Sequence, residues 1–248
     1  MASPLIYSLG SVLLISLVAF IGIATLAFSK TLVRRGIIVL VSFAAGALIG
    51  DAFIHLLPEA VEAAGFTLQI SLYTLAGIAT SFIIEKVIHW HHYHTHEFEE
   101  THPFVYVNLI GDAIHNFIDG VIIAVSYIAS IPLGIATTIA VFFHEIPQEI
   151  GDYAVLIHGG FTNKKALLMN FITALSSAVG VVVAFTVYSF SENMLYFLLP
   201  FAAGNFIYIA STDLFPELHK EKQLLKSFAQ LIAFGIGIYV MVLLLRFD

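Results

Sequence analysis

No cysteine occurs in the 248-residue sequence, which excludes disulfides and thiolate metal ligands and leaves the redox compartment open. Charge is also scarce. Only 11% of the residues are Asp, Glu, Lys or Arg, against about 25% in an ordinary soluble domain. No charged residue occurs in 1–29, 63–84, 121–143, 166–191, 193–212 or 227–245. Runs of about 20 apolar residues cross a bilayer as helices. With 59% hydrophobic residues, the chain reads as an all-α polytopic membrane protein in contact with lipid. With a net charge of −7 and no basic patch, no nucleic-acid partner is expected. The N-terminus lacks a basic n-region, so the first apolar segment reads as a retained helix.

Eight spans are predicted, at about 5–28, 36–57, 68–88, 103–129, 132–158, 166–190, 194–215 and 224–245, within one transmembrane domain covering 1–248. Pro58-Glu59 is read as the end of the second span. The loops after spans one, three, five and seven, with the span ends that border them, hold nine of the ten Lys and Arg residues. Basic residues favour cytoplasmic loops, so both termini are expected outside. Span two carries Ala44-Ala45-Gly46 with Pro58-Glu59 twelve residues after the glycine, and span seven carries Ala202-Ala203-Gly204 with Pro216-Glu217 at the same offset. This suggests an inverted repeat of helices 1–3 and 6–8 around helices 4–5. Coincidence is the alternative, because Ala and Gly are common in membrane helices.

Polar groups inside such spans are costly and by default functional. In span four, Asp112, His115 and Asp119 share one helical face, with Asn116 beside it. In span five, His144 and Gln148 form one stripe, and Glu145, Glu149 and Asp152 an adjacent one. The connection at Ser130-Ile131-Pro132 is so short that the two spans must be antiparallel neighbours. Facing stripes of imidazole and carboxylate suit Zn²⁺ and related divalent metals. Pro147 leaves the carbonyl of Phe143 without its helical donor. The bland alternative is a set of interhelical hydrogen bonds. Asp51 and His55 in span two, and Asp213 and Glu217 in span seven, are again four apart. They read as further ligands, pathway lining or a proton relay, against polar pairs that merely close the bundle. The segment 89–102, on the expected cytoplasmic side, holds His89, His91, His92, His94, His96 and His102. It reads as a metal-capturing or metal-sensing tract, or as a solvated loop whose histidines do little.

His115-Asn116-Phe117-Ile118-Asp119-Gly120 and His144-Glu145-Ile146-Pro147-Gln148-Glu149-Ile150-Gly151-Asp152 resemble the paired motifs of the ZIP (Zrt-, Irt-like protein) metal transporters. The similarity is greatest to the branch whose first motif reads His-Asn-Phe-x-Asp-Gly. The resemblance implies uptake of Zn²⁺, or of Cd²⁺, Fe²⁺ or Mn²⁺, into the cytoplasm, as substrate of a multi-pass plasma-membrane transporter and not of an enzyme. It implies a binuclear centre between spans four and five. His115, Asp119, His144 and position 148 would form the main site, and Asn116, Glu145 and Glu149 would form or border the second. It also implies homodimers, and movement of spans 1, 4, 5 and 6 against the remaining bundle. Gln148 departs from the family pattern, which has His there. An amide oxygen is a weak neutral ligand, so a softer site with less zinc preference is expected.

Two other readings compete. His144-Glu145-x-x-Gln148 approaches the His-Glu-x-x-His motif of zinc proteases, but lacks the second imidazole and has Pro147 in the intervening turn. A proton-coupled carrier of a non-metal solute would use the same carboxylates as a relay.

Overall fold

The computed structural model describes residues 2–22, 30–94, 104–190 and 194–247. Every long element among them is helical. Helix α1 is Ala2–Ser16, continuing as a 3₁₀ turn over Leu17–Ile21. Helix α2 is Lys30–Asp51, a π-helical turn over Ala52–Leu56, and Leu57–Ala64. Helices α3, α4 and α5 are Leu68–His94, Phe104–Ala129 and Ile131–His158. Helix α6 is Asn163–Ala174 and Ser176–Phe190, interrupted at Leu175. Helix α7 is Met194–Ile209, a π-helical turn over Ala210–Leu214, and Phe215–His219. Helix α8 is Leu224–Leu244, ending in a 3₁₀ turn over Leu245–Phe247.

Seven described helices are long and apolar enough to cross a membrane. The remaining one, α5, is 28 residues long. It places Glu145, Glu149 and Asp152 within eight positions, so its hydropathy is diluted by its own polar stripe. Several expected boundaries move, among them the start of α2, at Lys30, and the end of α7, at His219. Helix α2 runs through Pro58 to Ala64, because Pro falls at the start of a helical turn that follows a π turn, where its missing N–H is tolerated. Helix α3 continues through His89, His91, His92 and His94, so the first part of the histidine-rich segment is helical. His96 and His102 lie outside the described residues.

The internal repeat has a structural counterpart. A single shift of 158 residues places Gly46 on Gly204, the π turn at Ala52–Leu56 on the one at Ala210–Leu214, and Pro58 on Pro216. In each turn the last N–H before the proline, Leu57 or Phe215, reaches back five residues to Ala52 or Ala210. Proline cannot continue the donor ladder, and the wider turn accommodates that break. The helix partners repeat as well. α2 packs on α8, with a Cβ at Gly46 meeting the Phe234 carbonyl and one at Gly237 meeting that of Phe43. α7 packs on α3, with Gly204 against the Thr74 carbonyl and Gly77 against that of Phe201. Such contacts need glycine, because only a missing side chain lets two backbones approach so closely.

The second group of helices centres on α4, which packs on α6, α5 and α1. α4 and α5 are joined through Ser130 alone. Ser130 caps α5 from an extended conformation, its Oγ accepting the Leu133 N–H at 3.2 Å. Pro132 occupies the first turn, where no N–H is missed. A contiguous core of Leu48, Leu56, Ile122, Ile123, Val141 and Phe206 links α5 and α4 to α2 and α7.

Candidate metal centre

Four side chains from α4 and α5 converge: His115, Asp119, His144 and Glu145. His115 Nε2 lies 3.2 Å from His144 Nε2. It lies 3.5 Å from Asp119 Oδ2 and 3.4 Å from Glu145 Oε1. His144 Nε2 lies 3.1 Å from Asp119 Oδ2 and 3.4 Å from Glu145 Oε1. A tetrahedral metal with bonds of about 2.0–2.2 Å sets its ligand atoms about 3.3–3.6 Å apart. Five of the six separations in this cluster already approach that spacing.

The polar bookkeeping points the same way. His144, Asp119 and Glu145 are buried, and His115 is 19% exposed. Among the described residues none of the four carboxylate oxygens has a hydrogen-bond partner, and the imidazoles are close ionisable neighbours. Buried acceptors without donors are expensive, and a cation at their centre removes the cost. His144 Nδ1 faces its own helix's Ala140 carbonyl at 3.3 Å. That contact assigns the proton to Nδ1 and leaves the Nε2 lone pair turned to the cluster. The ring of Phe206 packs against the imidazole edge-to-face, with centroids 6.4 Å apart and an interplanar angle of 67°.

The other residues singled out from the sequence fall into three places. Gln148 lies with His115, His144, Asp112, Asp152, Asp213 and Glu217 on the wall of a cavity of about 640 Å³. Asn108 near the start of α4, Asp152 near the end of α5 and Leu218 near the end of α7 also line it, so it runs toward the helix ends that border the basic loops. Asp112, Asn116 and Glu149 form a buried layer beside the four convergent groups. Asn116 Nδ2 donates to Asp112 Oδ1 at 2.8 Å, Thr173 donates its hydroxyl to Asp112 Oδ2, and Asn170 Nδ2 donates to Glu149 Oε2 at 2.9 Å. Asn108 Nδ2 holds Asp152 at 2.8 Å.

Asp51 and His55 lie toward the opposite face. His55 Nδ1 is 3.1 Å from Asp51 Oδ1, and Thr137 of α5 donates to Asp51 Oδ2 at 2.9 Å. His55, Glu59, Glu62 and Ser130 line a separate cavity of about 420 Å³. Between this cavity and His144, α5 buries Ala136, Ala140 and Val141. Buried side chains of α5 thus lie between the two cavities. His55 and Asp213, equivalent under the repeat, face these two opposite cavities.

Sequence reasoning had no signal for Thr137, Asn170 or Thr173, which are uncharged groups within charge-free runs of their helices. It also gave no sign that Glu85 of α3 would accept the Tyr208 hydroxyl, or that Ser81 would donate to Asn205 Oδ1 at 2.5 Å.

The family profile described as "ZIP Zinc transporter" matches residues 2–104 and 91–245. A protein named zinc transporter ZIP13 from Pongo abelii is 36% identical over 218 residues, covering 82% of this chain and 65% of that protein. Zinc transporter zipt-7.2 from Caenorhabditis elegans is 31% identical, covering 85% of this chain and 58% of its own length. Zinc transporter YKE4 from Saccharomyces cerevisiae is 31% identical, with 83% and 70% covered. The chain therefore spans about three-fifths of the length of the first two of these relatives.

Proposed function

Because the chain belongs to the ZIP family, we propose that it carries Zn²⁺ or a related divalent transition metal across a membrane, with the ion held between α4 and α5. The observation that carries this reading is the cluster of two imidazole nitrogens and two donor-free carboxylates at near-tetrahedral spacing. Its donor set is nitrogen and oxygen only, which suits Zn²⁺ and leaves Cd²⁺, Fe²⁺ and Mn²⁺ as competing cargo.

In this reading His115, Asp119, His144 and Glu145 form the first coordination shell. Gln148 borders it from the cavity, and Asn116 and Glu149 support it from behind. The cavity containing Asp112, Asp152, Asp213 and Glu217 is the route to the side of the basic loops, which the positive-inside rule makes the cytoplasm. Acidic side chains along such a route attract a divalent ion without enclosing it. His55, Glu59 and Glu62 line the opposite mouth, through which the ion arrives, with Asp51 buried behind His55. The protease reading loses its general base, because Glu145 stands among the ligands instead of beside them.

Reconstitution into liposomes enclosing a metal-sensitive dye tests this function. Wild type should admit Zn²⁺, and His115→Ala or His144→Ala should lower influx at least about tenfold, the effect of losing a ligand worth 1.4 kcal/mol or more. Equal influx in all three proteins would sink the site assignment. Influx lost for every divalent metal tested, together with no metal bound, would instead favour the non-metal carrier.

A further inference from the structure

Beyond Lys164 and Lys165 in its first turn, helix α6 contributes no acidic or basic residue, yet its first segment reaches both helices of the metal centre. Asn170 and Thr173 lie one turn apart and share a face. Asn170 is fully buried. Its Nδ2 donates to Glu149 Oε2 at 2.9 Å and to the Glu149 backbone carbonyl at 3.2 Å. Its Oδ1 has no donor among the described residues. The reversed amide would turn Oδ1 onto a carboxylate and a carbonyl, so the orientation is imposed by Glu149 alone. Interhelical glue would satisfy both ends of the amide; this one leaves an acceptor orphaned in order to hold a carboxylate. Thr173 acts in parallel on α4, where its hydroxyl meets Asp112 Oδ2.

The two carboxylates so held are close to the four convergent groups without being among them. Glu149 lies one turn beyond Glu145 on the same face of α5, and Asp112 lies one turn before His115 on α4. Both interact electrostatically with Glu145. Swung inward, Glu149 would add a fifth donor to the ion. Held by neutral donors of α6, it adds negative potential and no bond.

We infer that Asn170 and Thr173 are positioning residues that keep Glu149 and Asp112 out of the first coordination shell, so that the ion is held by four ligands and can leave. This rests on the metal-site reading above. It assigns α6 a part in setting how tightly the cargo is held: withdrawing the clamp converts a transit site into a trap.

Co²⁺ is the probe, because four-coordinate Co²⁺ absorbs visible light far more strongly than the five- or six-coordinate ion. Purified wild type loaded with Co²⁺ should show the intense four-coordinate bands. Asn170→Ala should lose most of that intensity, and in liposomes its KM for Zn²⁺ should fall about tenfold with a matching fall in maximal rate, a size typical of outer-shell partners. Asn170→Ser, which keeps a donor, should recover part of the wild-type spectrum. Adding Glu149→Gln to Asn170→Ala should restore the strong bands, since the invading ligand is weakened. Thr173→Val provides a second, milder variant if Asn170→Ala does not fold. An Asn170→Ala or Thr173→Val protein with unchanged spectrum and unchanged KM, whatever its thermal stability, would reduce these residues to bundle packing. Wild type with no Co²⁺-dependent absorption would overturn the metal site itself, and the inference with it.

Discussion

Successive residues on a helix point about 100° apart, yet His144 and Glu145 reach the same point between α4 and α5. The helical spacing sorts them into different stripes, with Gln148 beside His144. The structure shows why that sorting was incomplete. A glutamate has enough reach to cross from its own stripe, whereas Gln148 lies along the cavity wall. His115, Asp119 and His144 were legible because charge inside a membrane span is conspicuous. Asn170 and Thr173 were not, because a lone amide or hydroxyl in such a span reads as ordinary interhelical bonding. Position 148 is nonetheless testable. Replacing Gln148 by His puts a better zinc donor beside His144. Uptake by Gln148→His should show a KM for Zn²⁺ about tenfold lower than wild type, a gain of roughly 1.4 kcal/mol. Unchanged affinity and selectivity across Zn²⁺, Cd²⁺ and Mn²⁺ would remove position 148 from the ion's path.

Charge-free runs separated by basic and acidic connections made the helix count readable, and the hydropathy of α5 alone would have hidden it. Helix ends were harder. Pro58 reads as a terminator, but the π turn before it lets α2 continue to Ala64. That turn has no sequence signature apart from its recurrence before Pro216. The repeat makes a quantitative expectation at this scale. Gly46 and Gly204 each face a partner helix's carbonyl, whereas Gly235 has open space around its Cβ position. Gly46→Leu and Gly204→Leu should each destabilise the protein by about 1–3 kcal/mol through overpacking, visible as an earlier transition in detergent-based thermal unfolding. Gly235→Leu should unfold near the wild-type temperature. A marked difference between Gly46→Leu and Gly204→Leu would show that the two halves do not share one packing scheme.

For the molecule as a whole, the alternation of basic loops assigns sides that the fold alone does not. The absence of native cysteine makes a direct check simple. In intact cells that display single-cysteine variants at the plasma membrane, Ser130→Cys should react with a membrane-impermeant maleimide, and Thr162→Cys only after permeabilisation. The reverse pattern would invert the proposed direction of transport. The joint between α4 and α5 then has a mechanical meaning. All four convergent groups belong to one hairpin closed by the single residue Ser130. His115 and His144 lie about 21 Å from that closure, at a rise of 1.5 Å per residue. Two helices pinned so tightly at one end cannot part like jaws at the other without breaking their shared packing. In the metal-transport reading the coordination sphere then travels as a unit, as cargo does in a closed hand, and the ion's release depends on water reaching it from the open end and not on its ligands drawing apart.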